Sequence, residues 1–489
     1  MKPLKTTFAI NLLIPFVLFI SIFAFSCKNV NTEEVHTNFI IIYLDDMGYG
    51  DLSLTGAVGY KTPNLDQVVS NGMIFTNFYC PLTGCSASRA GLLTGCYPNR
   101  VGITGALDPK SDIGINDEEE TLAELLKKKG YATAIFGKWH LGNHPQFLPT
   151  RHGFDEFYGI PYSSDMWPLH PTNPDSYPSL PLYENEKIVN ASVGPEDQER
   201  FTTEFTEHAV SFIQKNQKNP FFLYLVHPRP HVPLFVSDKF KGKSKQGLYG
   251  DVMMEMDWSV GKIIQTLDDL GLSENTLVIF ASDNGPWLNY GNHAGSAGGL
   301  REGKGNTYEG GQRVPGLMLW KGVIPGGTVC NNIVSAIDIL PTIAAISGSP
   351  LSENRIDGVN LFPLLKGDLE STPRTTFYYY NRRNNLEAVR HNDWKLVFDH
   401  DGRSYEGFEP GKDGKPGEVN NYYSYERGLY DLRRDPGERY NMLEFYPEIE
   451  KELEKIADKA RDDLGDNLTG NIGKNRREPG RYKEQKSEN

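Results

Sequence analysis

Cysteine is scarce in this chain, five among 489 residues: Cys27, Cys80, Cys85, Cys96 and Cys330. That count makes no disulfide framework. Cys80 and Cys96 either pair in an oxidising compartment or pack as two separate thiols. Net positive charge is also missing. Fifty Lys and Arg stand against 63 Asp and Glu, a formal charge of -13, so the surface as a whole does not attract polyanions and nucleic-acid binding is not expected. An anionic ligand needs a local cationic pocket instead. There is no internal repeat and no Cys/His spacing of the kind that holds zinc. What is present, 38% hydrophobic and 23% charged residues, is ordinary for a soluble globular protein. The length allows a large core and two domains.

One long apolar run stands out, Phe8 to Phe25, preceded by Lys2 and Lys5 and followed by Ser26-Cys27. A short positive region, an apolar stretch and small residues before a cleavage point make a secretory signal over residues 1–27. Pro15 weakens the alternative of an uncleaved membrane helix. Ser26-Cys27 resembles a bacterial lipobox apart from the bulky Phe25, which would leave Cys27 as a lipidated N-terminus. The expectation is an exported protein, periplasmic or a cell-surface lipoprotein of a bacterium.

Residues 36–372 read as the larger domain. Asn38 to Leu44 is a continuous β-branched and aromatic run, the pattern of a strand buried on both faces, and it stops at Asp45-Asp46. Three further runs end similarly: Tyr131 to Phe136 before Lys138 and His140, Phe221 to Val226 before His227 and His231, and Thr276 to Phe280 before Asp283-Asn284. Between them lie helical segments, starting at Thr62-Pro63, near Ser88, at Leu122 and at Asp251. The alternation predicts an α/β fold with a mostly parallel sheet covered by helices on both faces. Ligands of such sheets bind beyond the carboxyl ends of the strands, so four polar strand ends predict one convergent site.

From Pro373 the texture changes to aromatic strands, with a hairpin over Glu387 to Phe398, a glycine- and tyrosine-rich loop from Asp401 to Tyr425, and a helix from Pro447 to Leu464. Residues 373–470 read as a small antiparallel sheet plus helix. Residues 471–489, with Lys474, Arg476, Arg477, Arg481 and Lys483, read as a basic polar tail that frays into solvent.

Asp45, Asp46, Asp283 and Asn284 are all oxygen donors, the set a hard divalent cation such as calcium or magnesium requires. Cys85 begins a second constellation, with small residues after it, Arg89 four positions on, and a Leu-Leu-Thr-Gly run. A thiol at a helix N-terminus beside a guanidinium sits in positive potential.

The stretch Cys85 to Gly95, C-x-A-S-R-x-x-x-L-T-G, resembles the signature of the type I sulfatases of the alkaline-phosphatase-like superfamily, with Ala87 where many members carry proline. Gly137-Lys138-Trp139-His140, Pro230-His231-Val232-Pro233, Gly303 to Gly311 and Leu429-Tyr430-Asp431-Leu432 are similar to later motifs of the family. Gly159 to Asp165, with Ser163, is similar to a segment of its arylsulfatase A branch; the N-acetylgalactosamine-6-sulfatases are the neighbouring look. The resemblance implies a sulfuric ester hydrolase acting on a sulfated carbohydrate. It implies that Cys85 is oxidised to formylglycine by a separate maturation enzyme, and that Asp45, Asp46, Asp283, Asn284 and position 85 bind calcium.

It also implies roles. The hydrated aldehyde attacks sulfur with Arg89 beside it and Asp283 as base, giving a sulfate-ester intermediate. Lys138, Ser163, His231 and Lys304 hold sulfate, His231 or Lys304 protonates the leaving oxygen, and His140 takes the proton that releases sulfate. His227, His144, His152 and His293 read as structural or rim residues. Met166 to His170, Arg229 and Trp287 to His293 are the expected sugar-reading loops. Two rivals stand beside this: a phosphoester hydrolase of the same superfamily, and a secreted, non-catalytic binder of sulfated glycans.

Overall fold

A computed structural model describes residues 36–483. The apolar run, Cys27 and residues 484–489 lie outside that range. In chain order the strands of the main sheet and its surroundings are β1 Asn38–Asp45, β2 Met73–Tyr79, β3 Ile113–Gly114, β4 Ala132–Lys138, β5 Glu156–Ile160, β6 Leu182–Glu184, β7 Lys187–Asn190, β8 Phe221–Pro230, β9 Thr276–Ser282, β10 Gly316–Leu319 and β11 Thr328–Ser335. The helices among them are α1 Pro63–Asn71, α2 Cys85–Thr94, α3 Leu122–Lys127, α4 Pro195–Lys215, α5 Leu248–Asp269, α6 Glu309–Gln312 and α7 Ile339–Ser347.

Ten strands form one mixed sheet in the order β11-β2-β10-β9-β1-β8-β4-β5-β6-β7. Its centre is parallel: β1 lies between β8 and β9, and β4 follows β8, with Tyr43 opposite Val226 and Leu44 opposite Ser282. All eight residues of β1 are buried, and they divide by parity. Phe39, Ile41 and Tyr43 pack with Leu92, Leu93, Leu125 and Ile343 of α2, α3 and α7 on one face. Ile40, Ile42 and Leu44 meet Leu65, Phe201, Phe205 and Met256 of α1, α4 and α5 on the other. A strand covered on both sides has no polar face to show, hence the unbroken apolar run.

Because β1, β4, β8 and β9 run in parallel, their carboxyl ends share one edge, and Asp45, Lys138, His231 and Asp283 arrive there together. Gly137 makes the approach of β4 to β8 tight: its φ is +120° and a methyl group added to it would lie 1.9 Å from the Val226 carbonyl oxygen. Any side chain at that position would push the following Lys138 out of register.

The C-terminal part begins after α8 (Phe362–Leu365). Strands β12 Thr376–Asn381, β13 Asn385–His391, β14 Trp394–Val397 and β17 Gly428–Asp431 form an antiparallel sheet in the order β12-β13-β14-β17. Helix α9 (Pro447–Leu464) covers it with Leu453, Ala457, Ala460 and Leu464. The Asp401 to Tyr425 stretch, expected as a loop, is bounded by a two-stranded ribbon, β15 His400–Ser404 and β16 Asn420–Tyr425.

Two expectations are corrected and one open alternative is decided. The basic tail does not fray as far as Lys483: β18 (Gly480–Arg481) pairs with β3, Arg477 forms an ion pair with Glu119 at 2.5 Å, and its N–H donates to the Arg100 carbonyl. Buried carboxylate partners draw in the arginine that composition alone assigned to solvent. The motif helix starts at Cys85, not near Ser88, because the Ser88 N–H already bonds the Gly84 carbonyl. Of the two alternatives for Cys80 and Cys96, the packed one holds: both are free, buried thiols.

Candidate active site

Cys85 is the first residue of α2 and 2% exposed. Its Sγ lies 3.3 Å from Asp45 Oδ1, 3.5 Å from Lys304 Nζ and 3.8 Å from Asn284 Oδ1. Burial and the neighbouring Asp45 push the thiol well above its usual pKa, against Lys138 and Lys304. The positive potential expected of the helix start therefore does not make this cysteine a thiolate.

Around it, carboxylates and cations interlock. Lys138 Nζ makes an ion pair with Asp45 and a 3.0 Å hydrogen bond to Ser163 Oγ. Lys304 Nζ sits 2.6 Å from Asp46 Oδ1 and His231 Nε2 3.5 Å from Asp46 Oδ2. Burial raises the Asp45 pKa, but Lys138, His231 and Arg89 outweigh it and hold the carboxyl well below its usual range. Asp283 goes the other way, up to about 7, because burial and Asp45 outweigh Arg89.

Arg89, fully buried, donates through Nε and Nη2 to Asp283 Oδ2 at 3.2 and 2.8 Å, and through Nη1 to the Lys138 carbonyl at 2.7 Å. Its fork is thus spent on holding two strand ends together. Asp45, rather than Asp283, is the carboxylate that contacts Cys85. Asp283 Oδ1 accepts from the Asp46 N–H at 3.2 Å instead.

His140 also lines the site. Its Nε2 lies 2.9 Å from the Leu107 carbonyl, which only accepts, so Nε2 carries the proton and Nδ1 is an acceptor. Nδ1 is buried without a hydrogen-bond partner. Burial and the Lys138 and Arg89 charges hold this imidazole well below its ordinary pKa. His140 and Asp46 both occupy left-handed backbone, φ 63° and 65°; such strain collects at functional sites.

Four of these side chains lie close enough to hold a metal ion. Donor atoms of Asp45, Asp46, Cys85 and His231 all lie within 4.8 Å of one another, and Asp46 Oδ2 is buried with no hydrogen-bond partner. Asn284 Nδ2 donates to Asp46 Oδ1 at 2.7 Å, which leaves its Oδ1 facing Cys85.

A cleft of about 140 Å³ opens onto this cluster, lined by Cys85, His140, Ser163, His231, Trp287 and Lys304 and also by Asp165, Met166, Arg382 and Arg403. The Gly159 to Asp165 motif gives Ser163 a role and Asp165 none, yet both line the cleft. Arg382 and Arg403 carried no signal at all. Trp287 and Met166 face the cleft as the loop expectation had it, but Arg229 does not: it is fully buried on Gln198 (2.8 Å) and Ser164 (3.2 Å). The bland readings suit His227, His152 and His144. His227 is buried on Ser259 Oγ at 3.0 Å, His152 stacks on Trp139 and His144 on Tyr482.

The cleft thus brings Lys304, two histidines and Arg382 and Arg403 over a side chain at a helix start, groups that suit an anionic ligand. Comparison with known proteins gives the class a family. The family model for sulfatases matches residues 37–349, and that for the C-terminal region of aryl-sulfatase matches residues 372–479. Arylsulfatase A of Bos taurus is 39% identical over 433 residues, covering 85% of either chain. N-acetylgalactosamine-6-sulfatase of Canis lupus familiaris is 39% identical over 434 residues, covering 83% of this chain and 81% of its own. Among solved structures, the PsFucS1 sulfatase from Pseudoalteromonas sp. superposes with a TM-score of 0.78 at 28% identity, over 87% of this chain and 89% of its own. The chain belongs to the sulfatase family and is a sulfuric ester hydrolase.

Proposed function

We propose that the protein removes sulfate from a sulfated carbohydrate, with position 85 converted from cysteine to formylglycine by a separate maturation enzyme and a calcium ion held by Asp45, Asp46, Asp283 and Asn284 together with position 85. The observation that carries this is the meeting of Cys85, Lys304 and His140, with its free Nδ1, at one small cleft, with Asp45 in contact with Cys85 and Lys138 paired to Asp45. N-acetylgalactosamine-6-sulfatase, by its name, acts on a sulfated amino sugar, which supports the substrate class. Export through the Phe8 to Phe25 signal, with or without a lipid at Cys27, would place the protein where such glycans are met.

When present, the hydrated aldehyde supplies one hydroxyl to attack and another to re-form the carbonyl, and the cation supplies charge that favours the attacking oxygen as an anion. The chain's own groups do the rest. Lys138 and Ser163, already hydrogen-bonded to each other, present donors to a sulfate oxygen. Lys304 and His231, on the side of Trp287, stand where the ester's leaving oxygen needs a proton. His140 Nδ1, neutral at pH 7, accepts the proton whose removal frees sulfate. Arg89 positions Asp283 and the Lys138 strand end.

The test is a panel of defined sulfated mono- and disaccharides offered to the matured protein beside the matching phosphate esters. Sulfate release supports the reading. Preferential phosphate release favours the phosphoester rival, and binding without release favours the binder.

A further inference from the structure

The cleft holds more positive charge than one sulfate group uses. Lys304, which lines it, and Lys138, fully buried on Ser163, are already matched by Asp46 and Asp45. Arg382 and Arg403 are not matched: among the described residues neither guanidinium has a carboxylate within ion-pair distance, and Arg403 Nε donates to the Asn421 amide oxygen at 3.1 Å. The two arginines come from different elements, Arg382 from the turn after β12 and Arg403 from β15. Both reach the same spot. A methyl group placed on Gly305 would lie 3.6 Å from Arg382 Nη2 and 3.6 Å from Arg403 Nη1, so the forks converge over the residue next to Lys304.

Their supports are specific. The ribbon carrying Arg403 is fixed to the lysine loop by Tyr405, whose hydroxyl donates to the Lys304 carbonyl at 2.6 Å. Asn306 Nδ2 donates to the Tyr425 hydroxyl at 2.8 Å. Asn381, just before Arg382, donates to the Gly305 carbonyl at 3.3 Å and receives Thr83 Oγ1 at 3.3 Å. Two like charges held together by neighbouring structure repel each other unless an anion lies between them. In a chain of net charge -13, such a pair is a local exception, and guanidinium forks match sulfate and carboxylate oxygens two at a time.

We propose that Arg382 and Arg403 form a second anion subsite at the mouth of the cleft, so that the preferred substrate carries, besides the sulfate being removed, a second sulfate or a uronate carboxylate close to it. This rests on the sulfated-carbohydrate reading above and narrows it to saccharides with at least two negative groups.

The experiment compares kcat/KM of the matured protein on three kinds of saccharide: one sulfate and no other charge, two sulfates, and one sulfate beside a uronate. The proposal expects a preference of about tenfold or more for a doubly charged substrate, the scale of a charge-assisted hydrogen-bonded pair. It expects the preference to collapse towards one in Arg382→Gln/Arg403→Gln and to return in part in Arg382→Lys/Arg403→Lys. Melting midpoints of both variants establish that they fold. Which doubly charged substrate gains tells sulfate from carboxylate. Saccharides desulfated with no such preference, or a preference that survives the glutamine variant, overturn the subsite while leaving the sulfated-carbohydrate reading intact. Hydrolysis of an aryl sulfate with no saccharide desulfated overturns both.

Discussion

Replacing Lys395 by methionine isolates the ion cluster that joins the C-terminal sheet to the lysine loop. Lys395 is fully buried on β14, with Nζ 2.7 Å from Glu438 Oε1, 3.2 Å from Glu309 Oε1 and 2.7 Å from the Thr307 carbonyl, above the Tyr379 ring at 3.9 Å. Glu309 keeps other support in the variant, from the Tyr79 and Tyr379 hydroxyls at 2.6 and 2.8 Å. Glu438 does not, since its remaining contact is the Glu309 N–H at 2.7 Å. Stranding a buried carboxylate costs about 3–5 kcal/mol. At roughly 1 °C per kcal/mol for a chain of this size, the melting midpoint at pH 8 should fall by about 3–5 °C.

The loss should depend on pH in a defined direction. Burial and Glu309 already push Glu438 up to about 7 even with Lys395 working against them, and removing the ammonium pushes it higher. A carboxyl with a raised folded-state pKa takes up a proton on folding, so its contribution is kept at low pH and lost as pH rises through that value. The deficit of the variant should therefore be smaller at pH 6 than at pH 8. Scanning calorimetry of both proteins at the two pH values measures this. A shift under about 2 °C at pH 8, or a deficit that grows on acidification, would refute the reasoning.

Three further outcomes are expected. His140→Gln should lower kcat by about 10²–10⁴-fold with little change in KM; because the imidazole pKa is depressed, the acid limb of the wild-type kcat profile should fall below the ordinary value of about 6.5 and be absent in the variant. Asp46→Ala should lose bound calcium by elemental analysis and activity by more than the roughly 10–100-fold of a lost outer-shell partner, and chelation of the native protein should inactivate it until calcium is restored. His227, lowered to about 3 by burial and Arg229, stays neutral in the fold while the unfolded chain protonates, so stability drains as pH falls below about 6.5. In His227→Gln the drop in melting midpoint between pH 7 and pH 4.5 should be smaller than in the wild type, and an equal drop would remove His227 as its source.

The sheet and its edge were legible in the sequence because parallel strands covered on both faces leave no alternation to confuse. Asn38 to Leu44 is apolar throughout, and its sharp end at Asp45 marks where solvent and ligand begin. Helix termini were read where a cap or proline sets them: Thr62-Pro63 precedes α1, although the Thr62 hydroxyl bonds Ser53 rather than the helix. Cys85, Lys138, His140, Ser163, His231 and Lys304 were found through their motifs, and the structure brings them to one cleft.

What the sequence hid were partnerships across long separations. Arg89 and Arg229 look like ligand-binding arginines, yet their directions depend on Asp283, 194 residues away, and on Gln198. Arg382 and Arg403 look like surface charge, because the glycine-rich stretch around Arg403 shows no periodicity to announce a ribbon. Arg477 reads as part of a solvated tail until Glu119 is placed beside it.

The central claim is that side-chain chemistry at position 85 transfers the sulfuryl group. It is tested most directly by trapping the aldehyde with a hydrazine in the peptide around residue 85 of the natively matured protein, and by measuring sulfate release from the same preparation beside Cys85→Ala. The account predicts a trapped aldehyde in the wild type and a loss of about 10³-fold or more in the variant. Undiminished sulfate release from a folded Cys85→Ala protein would contradict it.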